Sequence, residues 1–126
     1  MVCAGLAVCS SAALNAQDNT PRLVDKNLGV RTVVTNLDQP TSMAFIGTND
    51  ILVLEKASGK VQRVMNGGLT ATVLDLAVNS ASERGLLGIA LHPNFPRNPG
   101  VYLYWTESLT PADSTALAEV PLLGNP

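Results

Sequence analysis

The chain has 126 residues, of which 46% are apolar, 14% charged and 4% aromatic, and its formal net charge is −2. Eight Lys and Arg against ten Asp and Glu leave no basic surplus, which excludes a binder of nucleic acid or anionic membrane that works by neutralising phosphates. The apolar fraction excludes a disordered polypeptide, and the length permits at most one modest core.

In chain order, residues 1–17 carry no charged side chain, and Ala4 to Leu14 form a small apolar stretch that runs into Ser10-Ser11-Ala12-Ala13 and Ala16. This is the pattern of the distal part of a secretory signal, with small residues suited to cleavage after Ala13 or Ala16. The expected organisation is a signal peptide over 1–16, a linker over 17–30 and a β-domain over 31–126. A basic start is missing, since the first basic residue is Arg22. The competing reading is a buried Ala-rich helix. A membrane span is not expected, because the run is too short and too rich in Ala, Ser and Gly to cross roughly 30 Å of hydrocarbon. Both cysteines, Cys3 and Cys9, lie inside this segment, so a chain starting near Gln17 has no disulfide and no thiolate metal site. A lipoprotein reading at Cys9 is disfavoured by the bulk of Val8.

Beyond Pro21, strands are expected at Arg31–Leu37, Thr41–Ile46, Ile51–Glu55, Lys60–Met65, Thr70–Val78, Leu86–Leu91 and Val101–Thr106. They are short, recur about every ten residues and show no helical period, which marks an antiparallel all-β architecture. The turns Gly47-Thr48-Asn49-Asp50, Ser58-Gly59 and Asn66-Gly67-Gly68 supply residues that tolerate positive φ. Ile51-Leu52-Val53-Leu54 is apolar on both faces and predicts a central strand. Successive hairpins then give a four-stranded meander from Thr41 to about Asp75, followed by a second unit that begins at Leu86 and reaches its second strand by Thr106. That is one propeller blade and the start of another. From Glu107 to Pro126 the chain turns Pro-rich and loop-like, and the expectation is a fragment of a longer propeller.

The run Glu83-Arg84-Gly85-Leu86-Leu87-Gly88-Ile89-Ala90-Leu91-His92-Pro93-Asn94-Phe95, followed by Asn98-Pro99-Gly100-Val101-Tyr102-Leu103-Tyr104-Trp105, resembles the glucose/sorbosone dehydrogenase family. Upstream, Leu37-Asp38-Gln39-Pro40-Thr41-Ser42-Met43-Ala44-Phe45 and Leu52-Val53-Leu54-Glu55-Lys56-Ala57-Ser58-Gly59-Lys60-Val61 resemble the family's first blade. The resemblance implies the N-terminal one to two blades of a six-bladed β-propeller, exported to the periplasm or the medium. The whole protein it implies binds pyrroloquinoline quinone (PQQ) and calcium and oxidises an aldose at its anomeric carbon. The catalytic histidine and the calcium ligands of the family belong to later blades, so no catalytic residue and no metal ligand is expected within this chain. A non-catalytic extracellular propeller that binds other ligands is the alternative.

Individual residues follow from that frame. Glu83 and Arg84 fall in the loop before the second blade's innermost strand, where propeller loops surround the channel mouth. The resemblance puts Glu83 where quinoprotein glucose dehydrogenases place a glutamine on the substrate side of the cofactor. The opposing reading is a solvated ion pair within the loop. Gly85 and Gly88, bracketing Leu86 and Leu87, are expected to allow close packing of inner strands. His92, the single histidine, precedes Pro93 at the end of an apolar strand and is expected to brace a turn rather than to move protons. Tyr102 and Tyr104 share one face of their strand and Trp105 the other, so one set is expected to pack between blades while the other reaches the sheet's outer side; core packing is the default, with a sugar platform as the alternative. No Gly-x-Gly-x-x-Gly, Gly-x-Ser-x-Gly or His-Glu-x-x-His motif occurs, which leaves nucleotide-binding, serine-hydrolase and zincin chemistry without support.

Overall fold

The computed structural model describes residues 22–117. The signal expected over 1–16 lies outside the described residues. The chain divides into two compact units, Met1–Arg31 and Thr32–Pro126. Residues 22–31 of the first are exposed and hold one turn, in which Asp25 Oδ1 accepts the Asn27 N–H at 2.8 Å.

The second unit contains β1 (Pro40–Gly47), β2 (Asp50–Glu55), β3 (Lys60–Met65), β4 (Gly68–Asp75), β5 (Leu86–Leu91) and β6 (Val101–Trp105). The first four make an antiparallel sheet in chain order, and β5 pairs with β6 in a second antiparallel sheet. There is no helix among the described residues, and hence none long and apolar enough to cross a membrane. The architecture is all-β: one complete propeller blade and the first two strands of the next. Tight hairpins join the strands where the turn residues predicted them. Asn49 (φ 54°) closes β1–β2, while Asn66 (φ 52°) and Gly67 (φ 81°) close β3–β4, a left-handed pair suited to the twist of a two-residue turn.

β2 is central, and its four apolar residues are all buried. Period-2 alternation divides them between two cores. Leu52 and Leu54 face one cluster with Val61, Val78 and Leu86. Ile51 and Val53 face the other with Val64, under Val34 and Leu37. The first cluster joins the blades, because Leu86 on β5 is wholly buried in it and Thr41 on β1 donates to the Leu86 carbonyl at 2.8 Å.

Two segments depart from the predicted strands. Residues 31–37 form no strand: Asn36 (φ 63°) and Gln39 (φ 45°) adopt left-handed backbone that ends extension, and the segment packs Val34 and Leu37 onto the sheet without joining its ladder. β4 ends at Asp75 rather than continuing to Val78. Past Leu76 the backbone leaves the sheet for the segment after β6, with Ser108 N–H donating to Ala77 O at 3.2 Å and Asn79 N–H to Thr106 O at 2.8 Å.

A polar network lies on the second face, at the end of β2. Glu55 is only 5% exposed, and its carboxylate accepts from the Asp38 N–H (3.0 Å), Ser58 Oγ (2.9 Å) and Gln62 Nε2 (3.2 Å). Gln62 in turn accepts from Thr72 on β4 at 2.8 Å. Burial opposes ionisation of Glu55, but these bonds, from Asp38, Gln62 and Ser58, together with Lys60, outweigh it and hold its pKa below the ordinary 4.5. The ionised form is thus the one the fold favours. Its stabilisation is complete above the unfolded value and is lost as pH falls through the lower folded value. Urea midpoints should be flat from pH 7 down to about 5 and drop below that. Glu55→Gln should lower the pH 7 midpoint by about 1–3 kcal/mol equivalent and flatten the acid limb; a parent-like acid limb in the variant would count against this account.

Candidate functional site

Loops converge at one end of the two sheets. The β2–β3 turn (56–59), the β4–β5 link (76–85), the incoming segment (36–39) and the segment after β6 (106–117) meet there through backbone hydrogen bonds. Lys56 is at their centre. Its N–H donates to Gln39 O at 3.1 Å, its carbonyl accepts the Leu86 N–H at 3.0 Å, and its ammonium donates to Ser82 O at 2.6 Å and Ser80 O at 3.5 Å.

Glu83 occupies a turn closed by Arg84 N–H donating to Ala81 O at 3.0 Å, preceded by Ser82 at a left-handed φ of 52°. Its side chain is exposed. Arg84 does not pair with it: the guanidinium donates to the carbonyls of Ala116 and Leu117. The single ion pair among the described residues is the bidentate Arg63–Asp50 contact at 2.6 Å, on the opposite end of the blade. There, the hydrogen bonds from Arg63 hold the Asp50 carboxyl below its usual range. Both Lys56 and Arg84 thus donate to main-chain oxygens, and among the described residues Glu83 has no salt bridge.

The loop is backed by a buried strut. Asn79, fully buried, donates from Nδ2 to Ala116 O at 2.9 Å and accepts the Ala81 N–H on Oδ1 at 3.1 Å. Asp113 accepts the Val78 N–H at 3.1 Å, and Ser80 and Val78 exchange backbone bonds with Ser114. Residues 107–117 form no strand, and 113–117 is laid along 78–84. Neither Lys56 nor Asn79 stood out in the sequence, because each acts through main-chain partners more than twenty residues away.

Gly85 turns the chain from this rim into β5 at φ 127°. A Cβ there would overlap the Lys56 carbonyl oxygen. Leu86 is buried, Leu87 half-buried, and Gly88 is in register with Tyr104, where an added Cβ would meet Tyr104 Cβ at 3.4 Å, an ordinary contact. His92 and Pro93 are at the far end of β5. His92 Nδ1 accepts the Asn94 N–H at 3.1 Å, while its backbone bonds to Gly100 O and from Phe95 N–H, both at 2.8 Å. The ring thus braces a loop that borders an open cleft with Phe45 and Phe95. Five strand steps between Leu86 and Leu91 span roughly 16–17 Å, so Glu83 and His92 do not share a site. Tyr102, Tyr104 and Trp105 are exposed rather than packed among the described residues. They sit on β6, at the edge of a two-stranded sheet, and Leu103 is the residue of that strand that reaches the core.

Among the described residues no three His, Cys, Asp or Glu side chains come together to hold a metal ion. Lys56 and Arg84 both donate to main-chain carbonyls.

A complete blade, a second one begun, and loops gathered around Lys56 at one end define a propeller segment. The chain belongs to the Glucose / Sorbosone dehydrogenase family, which matches it over residues 37–125. It is 35% identical over 85 residues to quinoprotein glucose dehydrogenase B of Acinetobacter calcoaceticus, covering 64% of this chain and 18% of that protein. An uncharacterized Synechocystis protein is 31% identical over 96 residues, with 68% of this chain and 23% of the relative covered. Among solved structures, an oxidoreductase from Thermus thermophilus described as a glucose dehydrogenase superposes with a TM-score of 0.56 at 39% identity, over 61% of this chain and 23% of its own. The PQQ-bound aldose sugar dehydrogenase of Streptomyces coelicolor gives 0.53 at 34%, over 62% and 24%. The chain therefore spans about a quarter or less of the relatives it matches.

The two glycines should separate on mutation. Gly85→Ala should cost about 2 kcal/mol or more, from backbone strain and the Lys56 contact. Gly88→Ala should stay within about 1 kcal/mol. Thermal melts of the two variants side by side check this, and equal losses would contradict it.

Proposed function

We propose that this chain is the N-terminal part of an exported, PQQ- and calcium-dependent dehydrogenase that oxidises an aldose at its anomeric carbon. The observation that carries the reading is the match to the sugar dehydrogenase family over residues 37–125, with the exposed Glu83 carboxylate, which has no salt bridge among the described residues, just before β5. PQQ, when bound, accepts the two electrons and two protons that an aldose loses in becoming its lactone. This segment contributes scaffold and one stretch of rim, and is inactive by itself.

Glu83 is the residue of this segment that meets the sugar. An exposed carboxylate with free acceptor positions suits the hydroxyl donors of a neutral sugar and repels an anionic one. The calcium ligands, the general base and most of the quinone contacts are assigned to the remainder of the protein. The partner is a small-molecule sugar; no nucleic acid and no membrane span take part.

Supplied with PQQ and calcium, the 126-residue chain should reduce no dye with glucose or another aldose, whereas the whole protein should. In the whole protein, Glu83→Ala should lower kcat/KM for aldoses about ten-fold or more, the loss of a charged hydrogen bond, with the bound PQQ spectrum unchanged. Turnover by the isolated chain, or a whole protein inert to every aldose with PQQ loaded, would defeat the proposal. Export has its own check: N-terminal sequencing of secreted protein should start at Leu14 or Gln17, and an intact Met1 would count against a cleaved signal.

A further inference from the structure

We propose that Lys56 is a positioning residue for Glu83, fixing through its ammonium the turn that presents this carboxylate; the inference rests on the reading that Glu83 lies on the sugar-facing rim. The turn needs an anchor. Ser82 holds a left-handed φ of 52° without being glycine, a conformation that persists only where surroundings enforce it. The enforcing contact is the Lys56 ammonium, 2.6 Å from the Ser82 carbonyl and 3.5 Å from that of Ser80. These charge-assisted bonds grip the backbone on the N-terminal side of Glu83.

On the other side the turn is held differently. Arg84 reaches outward to Ala116 and Leu117, and Gly85 rests against the Lys56 main chain. The lysine thus serves the loop in two separable ways. Its carbonyl accepts the Leu86 N–H at 3.0 Å, which any residue at position 56 would do. Its ammonium holds Ser80 and Ser82, which only a long cationic side chain does. The ammonium is engaged with carbonyls and makes no salt bridge to Glu83, which has none among the described residues, so the same residue fixes the carboxylate's backbone and does not consume its acceptors.

The separation of the two roles supplies the test. Amide hydrogen exchange should be followed residue by residue in the chain and in its Lys56→Met and Lys56→Arg variants. In Lys56→Met the Arg84 amide, which closes the turn on Ala81, should exchange about ten-fold faster or more, the effect of losing a charged hydrogen bond on local opening. The Leu86 amide and the β2–β3 ladder should keep their parent rates. Lys56→Arg, which can still donate to both carbonyls, should return Arg84 to within about two-fold of the parent. Should Lys56→Met not fold, Lys56→Gln supplies the same comparison. An unchanged Arg84 rate, an equal acceleration of Arg84 and Leu86, or no recovery with arginine would each overturn the proposal. Glu83→Gln in the sugar assay of the whole protein reports on the rim reading alone, so the two can fail independently.

Discussion

The buried carboxylate of Glu55 is the constraint on which the rest of this segment depends. It sits where β2 ends, and each of its hydrogen bonds reaches a different part of the chain: the incoming segment at Asp38, the hairpin at Ser58 and the neighbouring strand at Gln62. Through Gln62 the network continues to Thr72 on β4, so one ionised group ties a whole blade across its width. A charge taken out of water is tolerated only when its acceptor positions are filled, and none of the buried side-chain polar atoms among the described residues lacks a partner. The requirement works in both directions: the network needs the blade to be correctly paired, and the blade's loop end has a defined geometry because the network is satisfied.

The end of β2 then distributes the roles. Glu55 is its last residue and Lys56 the first of the turn that follows. The acid secures the segment packed on one face, and the base reaches the β4–β5 link beside the other. A pair that in the sequence looks like one acid and one base on a solvated turn is instead two anchors for two loops. The same geometry keeps the rim at Glu83 apart from the His92 loop, since β5 lies between them at full length.

Much of this architecture was legible in the residues. The doubly apolar run Ile51–Leu54, the Asn- and Gly-containing turns and the alternation of short strands specify a meander with β2 inside it, because burial and left-handed turns are local requirements written in residue type. The 31–37 segment misled because Val33 and Val34 favour strands while Asn36 and Gln39, downstream, decide the outcome by backbone conformation. The tyrosines and the tryptophan of β6 lie on the second of the two strands described for the next blade and are exposed there. Of the candidate site, Glu83, Arg84 and Gly85 were visible through the Gly-Leu-Leu-Gly run. What holds them was not: the bonds from Lys56 and Asn79 end on carbonyl oxygens, which every residue has and no sequence pattern marks.

Gly85 is where core and rim meet, and its conformation shows why they are compatible. Glu83 is exposed while Leu86, three residues later, has no exposed surface. A chain that continued as regular strand through this interval would carry the rim residues into the inter-blade core or draw the leucine out of it. The left-handed excursions at Ser82 and Gly85 give the change of direction within a few residues, and glycine at the second permits contact with the Lys56 carbonyl that a side chain would block. The strain is borne by the buried leucine on one side and the lysine's bonds on the other. Stability from the core is thus applied within a few residues of the exposed Glu83 carboxylate, which is how a rigid blade can hold a loop carboxylate in place.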